Sequence, residues 1–498
     1  MKRIAPLILV AVAALIAVFL VDRHRDSATA YTGSKDAWDA YTEGESLLQS
    51  FRYAEADSML RKAVELDPGL AMAHVALGEL SYRIGNRNEG KHHYALADSL
   101  ALLVDDPQGC LLLQVRLANA RISRFHSQRD SLLAEAKASC PDHLIVLLTE
   151  AMSAAVAGDL VRAEELYQHI LAINPNFAGA YNFLGYLYLE QGKYDEAETA
   201  MRRYAFVAPD LANPHDSLGE VLMTVGRYEE ALEQFRSAID KQPFFYHSQI
   251  NIGWVYFARG EIDRALTLLD RVHDSLAGTA TARNLEANII WHLFWHRLND
   301  DIVSYADRFL ATYDDDHDAK SRRSQVEIIR LLSLDQPVAA VALVDSLQAS
   351  VEAADWYDVD VVSTIAVQAG AQRFRGLAAE QVGAHEDAAR LFQETLTLLQ
   401  NSPPRYQLHD RVHLAYNLIP LRAYDEARIQ IRAALSVNPR LLEGILVAAS
   451  IEAAAGNETE ALRLLDTLDR TLEKADPDFP VVLEARQLRE QLPDPGQI

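Results

Sequence analysis

The chain has 498 residues, of which 49% are hydrophobic and 24% charged, a balance that excludes a wholly disordered protein. Acidic residues outnumber basic ones 71 to 47, for a net charge of −24, so the basic surface that phosphate backbones require is missing and nucleic acid is not an expected partner. Two cysteines exclude a disulfide-rich scaffold and a four-thiolate zinc site.

At the N-terminus, Lys2 and Arg3 precede an apolar run over residues 4–21, interrupted only by Pro6. Eighteen residues of helix extend about 27 Å, close to a hydrocarbon core of about 30 Å, and exceed the 7–15 residues usual for a cleaved signal. Residues 1–26 are therefore expected to form a transmembrane signal anchor. The alternative is a cleaved signal, with Ala28-Thr29-Ala30 as a small-x-small site and a soluble periplasmic product. Basic residues flank the run on both sides, Arg23 and Arg25 after it, with a weak bias that places the N-terminus in the cytoplasm and the body outside. Residues 27–36, rich in small polar residues, read as a linker.

The rest of the chain is periodic. Pro107, Pro141, Pro175, Pro209 and Pro243 recur every 34 residues, as do Gly158, Gly192, Gly226 and Gly260, and each of these glycines is followed five residues later by Ala163, Ala197, Ala231 or Ala265. The spacing predicts pairs of amphipathic helices joined by glycine turns, each second helix ending before a proline. A pair of this kind cannot bury its apolar face alone, so neighbours must stack.

The pattern resembles the tetratricopeptide repeat family. Its best copy runs through Asn213, Pro214, Gly219, Gly226, Tyr228, Ala231, Phe235, Ala238 and Pro243. An earlier copy carries Gly44, Ala56, Ala63 and Pro68; later ones carry Gly376, Gly383, Ala388 and Phe392, then Ala415, Tyr424, Ala427, Ala434 and Pro439, then Gly456 and Ala461. The resemblance implies an all-α, right-handed superhelical solenoid of about twelve hairpins. The expected organisation is a repeat array over 37–277, irregular helical repeats over 278–368, a second array over 369–475, and a capping helix with a tail over 476–498.

Catalytic signatures are missing from the sequence: it has no phosphate loop, nucleophile elbow, dinucleotide fingerprint or Cys-x-x-Cys. No cofactor is expected. His292 and His296, four apart on a predicted helix, are weak metal candidates, outweighed by a packing role because Leu293, Phe294 and Trp295 lie between them. His92 and His93 with Asp98 are weaker still. Asp314-Asp-Asp-His-Asp318 lacks the Gly and Glu of a calcium loop, having Ala319 and Gln325 at those positions, and reads as a helix cap. Cys110 and Cys140 fall at the same end of one hairpin in repeat register, where they pair as a disulfide or remain two buried thiols.

In the family, inner-helix residues line a concave surface that receives peptides. By register this implies a groove of Asn182, Tyr186, Leu189, Asn213, Asp216, Glu220, Met223, His247, Ile250, Trp254 and Phe257, with packing between helices as the alternative for the aromatic rings. Its acids favour basic or amide-rich segments, and the lack of a basic residue argues against a carboxylate clamp. The leading expectation is a non-catalytic scaffold or adaptor of the bacterial envelope, anchored in the inner membrane, that binds other proteins. The alternative is a sensory array, because residues 208–220 look like repeats that follow bacterial kinases or winged-helix regulators. An enzyme with an unrecognised site in 278–368 is the third reading.

Overall fold

The computed structural model describes residues 34–49, 52–83, 86–103, 126–313, 320–353 and 361–493. Among these residues the chain forms α-helices and a single 3₁₀ turn. The chain divides into two units, residues 1–187 and 188–498. The expected anchor at 1–26, the Asp314–Asp318 run and Cys110 lie outside the described residues. No helix among the described residues is long and apolar enough to cross a membrane.

The first unit contains α1 (Lys35–Gln49), α2 (Tyr53–Leu66), α3 (Ala71–Arg83), α4 (Arg87–Ala101), α5 (His126–Ser139), α6 (Leu144–Val156), α7 (Leu160–Ile173) and most of α8 (Ala178–Glu190). The second continues with α9 (Tyr194–Val207), α10 (Ala212–Thr224), α11 (Tyr228–Lys241), α12 (Tyr246–Ala258), α13 (Ile262–Ser275), α14 (Ala280–Trp295), α15 (Asn299–Thr312), α16 (Lys320–Ser333) and α17 (Pro337–Ala353). It ends with α18 (Val361–Gln381), α19 (His385–Leu398), the 3₁₀ turn Pro404–Gln407, α20 (Leu408–Leu418), α21 (Tyr424–Val437), α22 (Leu442–Ala454), α23 (Glu458–Thr471) and α24 (Pro480–Glu490).

The α10–α11 pair shows why the sequence folds into hairpins. A Cβ on Gly219 would lie 2.5 Å from the Phe235 ring, so only glycine lets the two helices come this close. Ala231, Phe235 and Ala238 are fully buried along that contact. Gly226 turns the chain at φ +75°, in the left-handed region where a Cβ is strained. Glu229 and Glu230 then complement the positive N-terminal end of α11. Gly44 against Leu60, Gly78 against Tyr94, Gly253 against Leu269 and Gly376 against Phe392 repeat the same close contact in other hairpins.

The described residues of 278–368 keep the hairpin architecture although the signature fades there. Arg297, at φ +60°, turns α14 into α15, and Asp335, at φ +57°, turns α16 into α17. A left-handed non-glycine residue costs on the order of 1 kcal/mol, which the surrounding packing absorbs. Helix α18 runs straight through the expected boundary at residue 368.

First helices of neighbouring hairpins pack on one another, α1 on α3, α10 on α12, α14 on α16 and α20 on α22, and so form the inner layer. In the second unit the array curves back on itself. Four hydrogen bonds join residues 210 to 215 positions apart: Tyr228 with Asn438, Glu229 with Arg440, Asp263 with Asp476 and Glu190 with Arg405. The glycine turns at 192, 226 and 260 lie directly beneath Pro404, Asn438 and Phe479. The C-terminal helix, expected to shield an open end, also has its preceding residue Phe479 sealed against the Gly260 turn, 1% exposed.

Candidate functional site: the inner face of the repeats

Of the eleven residues placed in the groove by register, Leu189, Asn213, Asp216 and Phe257 are buried, His247 is exposed and the other six are half-buried. Asn182 and Tyr186 belong to the first unit; the rest belong to the second. Packing accounts for the buried members. Asn213 donates from Nδ2 to the Tyr204 hydroxyl at 2.9 Å, across to the preceding hairpin. Asp216 accepts from Ser248 Oγ at 2.6 Å and from Asn251 Nδ2 at 3.2 Å, tying α10 to α12. Burial, and then the neighbouring Glu220 carboxylate, push the Asp216 carboxyl well above its ordinary range. Asn251 also donates to Glu220 at 3.4 Å. Around these contacts, Glu220, Met223, His247 and Ile250 remain at the surface of α10 and α12.

Further along the inner layer, aromatic and imidazole rings pack on one another. Trp254 stacks on His292 at 4.3 Å, and Phe257, fully buried, lies parallel to His296 at 5.9 Å. Trp295 stacks on His409 at 4.4 Å, and Trp291 meets Phe374 at 5.4 Å. Rings from α14 thus touch rings from α12, α18 and α20.

Ionisable groups are embedded among the rings. His296 Nδ1–H donates to Glu443 Oε1 at 2.6 Å. Burial alone would raise the Glu443 carboxyl, but the His296 charge and hydrogen bond, with help from His409, hold it down to about 2. Burial pushes the imidazoles of His292 and His409 down to about 3 and about 4, so both are neutral at ordinary pH. Glu380 accepts from His413 Nδ1 and from Asn417 Nδ2 at 2.9 and 2.6 Å. Arg373 forms a two-pronged pair with the buried Asp410, both bonds at 2.7 Å.

The metal candidates His292 and His296 face different partners, one a tryptophan and the other a carboxylate. Among the described residues no three His, Cys, Asp or Glu side chains are placed to hold a metal. In the first unit His93 meets His74, Nδ1 to Nδ1 at 3.1 Å. Cys140, just past α5, is 7% exposed and disulfide-bonded.

Register reasoning missed Glu380, His409, His413 and Glu443. One signal was present: His409 and His413 repeat the four-residue spacing of His292 and His296, which puts a second imidazole pair on one helix face.

Tetratricopeptide repeat sequence models match residues 40–70, 155–217 and 217–278. No curated protein matches the chain. Among solved structures, the anaphase-promoting-complex hetero-tetramer Cut9–Hcn1 is similar at 13% identity, over 91% of this chain and 83% of that one, with a TM-score of 0.43. A tetratricopeptide repeat protein from Parabacteroides merdae aligns at 16% identity over 51% of this chain and 91% of its own, TM-score 0.37. A Thermobaculum terrenum O-GlcNAc transferase aligns at 25% identity over 26% of each chain, TM-score 0.25. None of the three superposes closely enough to bear on function. The matched segments are tetratricopeptide repeats, a module that is typically non-catalytic and binds other proteins or peptides.

Proposed function

We propose that the chain is a protein-interaction scaffold of a bacterial cell envelope, tethered by residues 1–26 with its body outside the cytoplasm, and that it receives a partner segment on the inner face of α10 and α12. The observation that carries this reading is the accessibility of Glu220, Met223, His247 and Ile250 on the inner layer. Each second helix, by contrast, commits its apolar side to the hairpin, as Ala231, Leu232, Phe235 and Ala238 do in α11. Half-buried methionine and isoleucine supply adaptable apolar contact. Glu220 places a half-buried carboxylate on this face, and the net charge of −24 draws basic or amide-rich segments toward it.

The anchor and location rest on the apolar run at residues 4–21 and its flanking charges. A photo-crosslinking residue at 223 or 247, introduced in the native cell, should yield a discrete adduct that Glu220→Arg abolishes. The same residue at 233, exposed on the outer helix, should yield none. Equal labelling from both faces, or adducts indifferent to Glu220→Arg, would refute groove binding.

A further inference from the structure

Two kinds of interface hold the second unit together, and they differ in chemistry. Within and between neighbouring hairpins a continuous apolar core runs through Phe235, Phe257, Leu269 and Phe309, all fully buried, with polar pairs such as Arg373–Asp410 beside it. The seam where residues 404–490 meet the turns of α8 through α14 adds to its buried contacts a row of charged pairs at the rim. Arg440 Nη1 pairs with Glu229 at 2.6 Å, Arg297 Nη1 with Glu484 at 2.8 Å, and Arg405 with Glu190. The side chains in these pairs are 21% to 57% exposed. Pairs this wet are weak, and salt screens them. Its apolar anchors include Tyr228 and Phe479, each 1% exposed. In a repeat array each hairpin is stabilised by its immediate neighbours, so opening the seam leaves every hairpin with its own core.

The face beneath this seam carries the inner layer on from α12 to α14, where Trp254 stacks on His292. His409 of α20 lies flat on Trp295, and Glu443 of α22 lies against His296, both on the inner side of α14. We propose that residues 404–490 form a releasable cover over the inner face of α14, latched by the charged seam, and that the cover lifts before a partner reaches that stretch. This inference rests on the scaffold reading and names how the inner face beyond α10 and α12 is regulated. The occupant is the chain's own C-terminal tier, which supplies imidazole rings and a carboxylate where a bound segment would place its side chains.

The test uses the full chain. Two backbone amides report on the seam: Asp476 N–H donates to the Gly260 carbonyl at 2.9 Å, and Asp263 N–H donates to Asp476 Oδ2 at 2.9 Å. Arg440→Glu sets like charges against Glu229 and should speed hydrogen exchange at both amides at least tenfold, while amides within α11 and beyond the first turn of α13 keep their protection. The swapped pair Glu229→Arg with Arg440→Glu should restore wild-type exchange. Raising salt to about 1 M, where the screening length falls to about 3 Å, should open the wild-type seam in the same direction. Acrylamide should then quench Trp291 and Trp295 more strongly at unchanged helicity.

Exchange at 263 and 476 that ignores both Arg440→Glu and salt would overturn the latch. So would exchange rising equally throughout the unit, because the seam would then be inseparable from the fold. Opened amides without any gain in quenching would overturn the cover. If Arg440→Glu fails to fold, the wild-type salt series decides between the same outcomes. None of these readouts uses a partner, so failure here leaves groove binding to its own crosslinking test.

Discussion

Replacing Glu443 by Gln removes the charge from the buried pair between α22 and α14 while nearly preserving shape. The carboxyl is held at about 2 instead of its ordinary 4.5. At about 1.4 kcal/mol per tenfold change in the protonation equilibrium, this corresponds to roughly 3 kcal/mol of stability. A depressed acid stabilises the fold above its unfolded value, near pH 4.5, and loses that contribution as pH falls toward 2. Glu443→Gln should therefore cost about 3 kcal/mol at pH 7 and only about 1 kcal/mol at pH 3. Mutational experience with buried ion pairs points to the same size, about 3–5 kcal/mol for removing one member, because the remaining group is left without its partner. Urea titrations of wild type and variant, followed by tryptophan fluorescence and circular dichroism at the two pH values, measure the difference. Acid destabilisation from other groups is common to both proteins and cancels. An equal loss at both pH values would trace the effect to packing, and a loss below about 1 kcal/mol at pH 7 would show that the pair stores little charge energy.

Gly253→Ala would place a Cβ 2.5 Å from Leu269 Cδ2 and should cost about 1–3 kcal/mol, read as a lower melting temperature. Gly370→Ala in α18, with no atom within 4 Å of its Cβ, should instead gain up to about 1 kcal/mol. Burial depresses His292 and His409 to about 3 and about 4, so their stabilising contribution is complete above about pH 6.5 and is lost as pH falls toward 4. His409→Phe should retain stacking on Trp295 and shift the acid transition seen in tryptophan fluorescence to lower pH. We propose that Cys140 pairs with Cys110, the chain's other cysteine; non-reducing peptide mapping should find the bridge, and reduction should cost about 3.5 kcal/mol for a loop of some thirty residues. In intact cells with a permeabilised outer layer, added protease should digest the body, whereas protection until lysis would reverse the proposed topology.

The repeat was legible because its rules are local. Glycine at 158, 192, 226 and 260 is required by a left-handed turn, and alanine at 163, 197, 231 and 265 by close helix contact, each alanine 0% exposed. Where Arg297 and Asp335 occupy the left-handed turn, the signature fades although the hairpin remains, and at Arg422 only the turn glycine is lost from an otherwise recognisable copy. The chain accepts a strained turn there, and strain carries no periodic mark. Register also named Trp254 and Phe257 as inner-face residues, but register could not say whether a partner or the chain would cover them. That outcome depends on His292 and His296 in the next hairpin.

The seam was hidden for a different reason. Its hydrogen bonds join residues 210 to 215 positions apart, about six repeats, and each depends on small rotations accumulated through every hairpin between them. A sequence pattern specifies neighbour contacts well because the same few residue types recur at each one. It specifies the landing point of a second tier poorly, since Asn438, Arg440, Asp476 and Phe479 share no residue type and gain their meaning only from the turns they meet. The same separation suits the seam to control. Neighbour contacts preserve each hairpin whether the seam is open or closed, so evolution can tune the seam's charges without rebuilding the repeats. A scaffold whose groove is partly filled by its own C-terminal tier gains selectivity thereby: a partner must supply interactions that exceed those of His409 and Glu443 with Trp295 and His296, and not merely find an exposed surface.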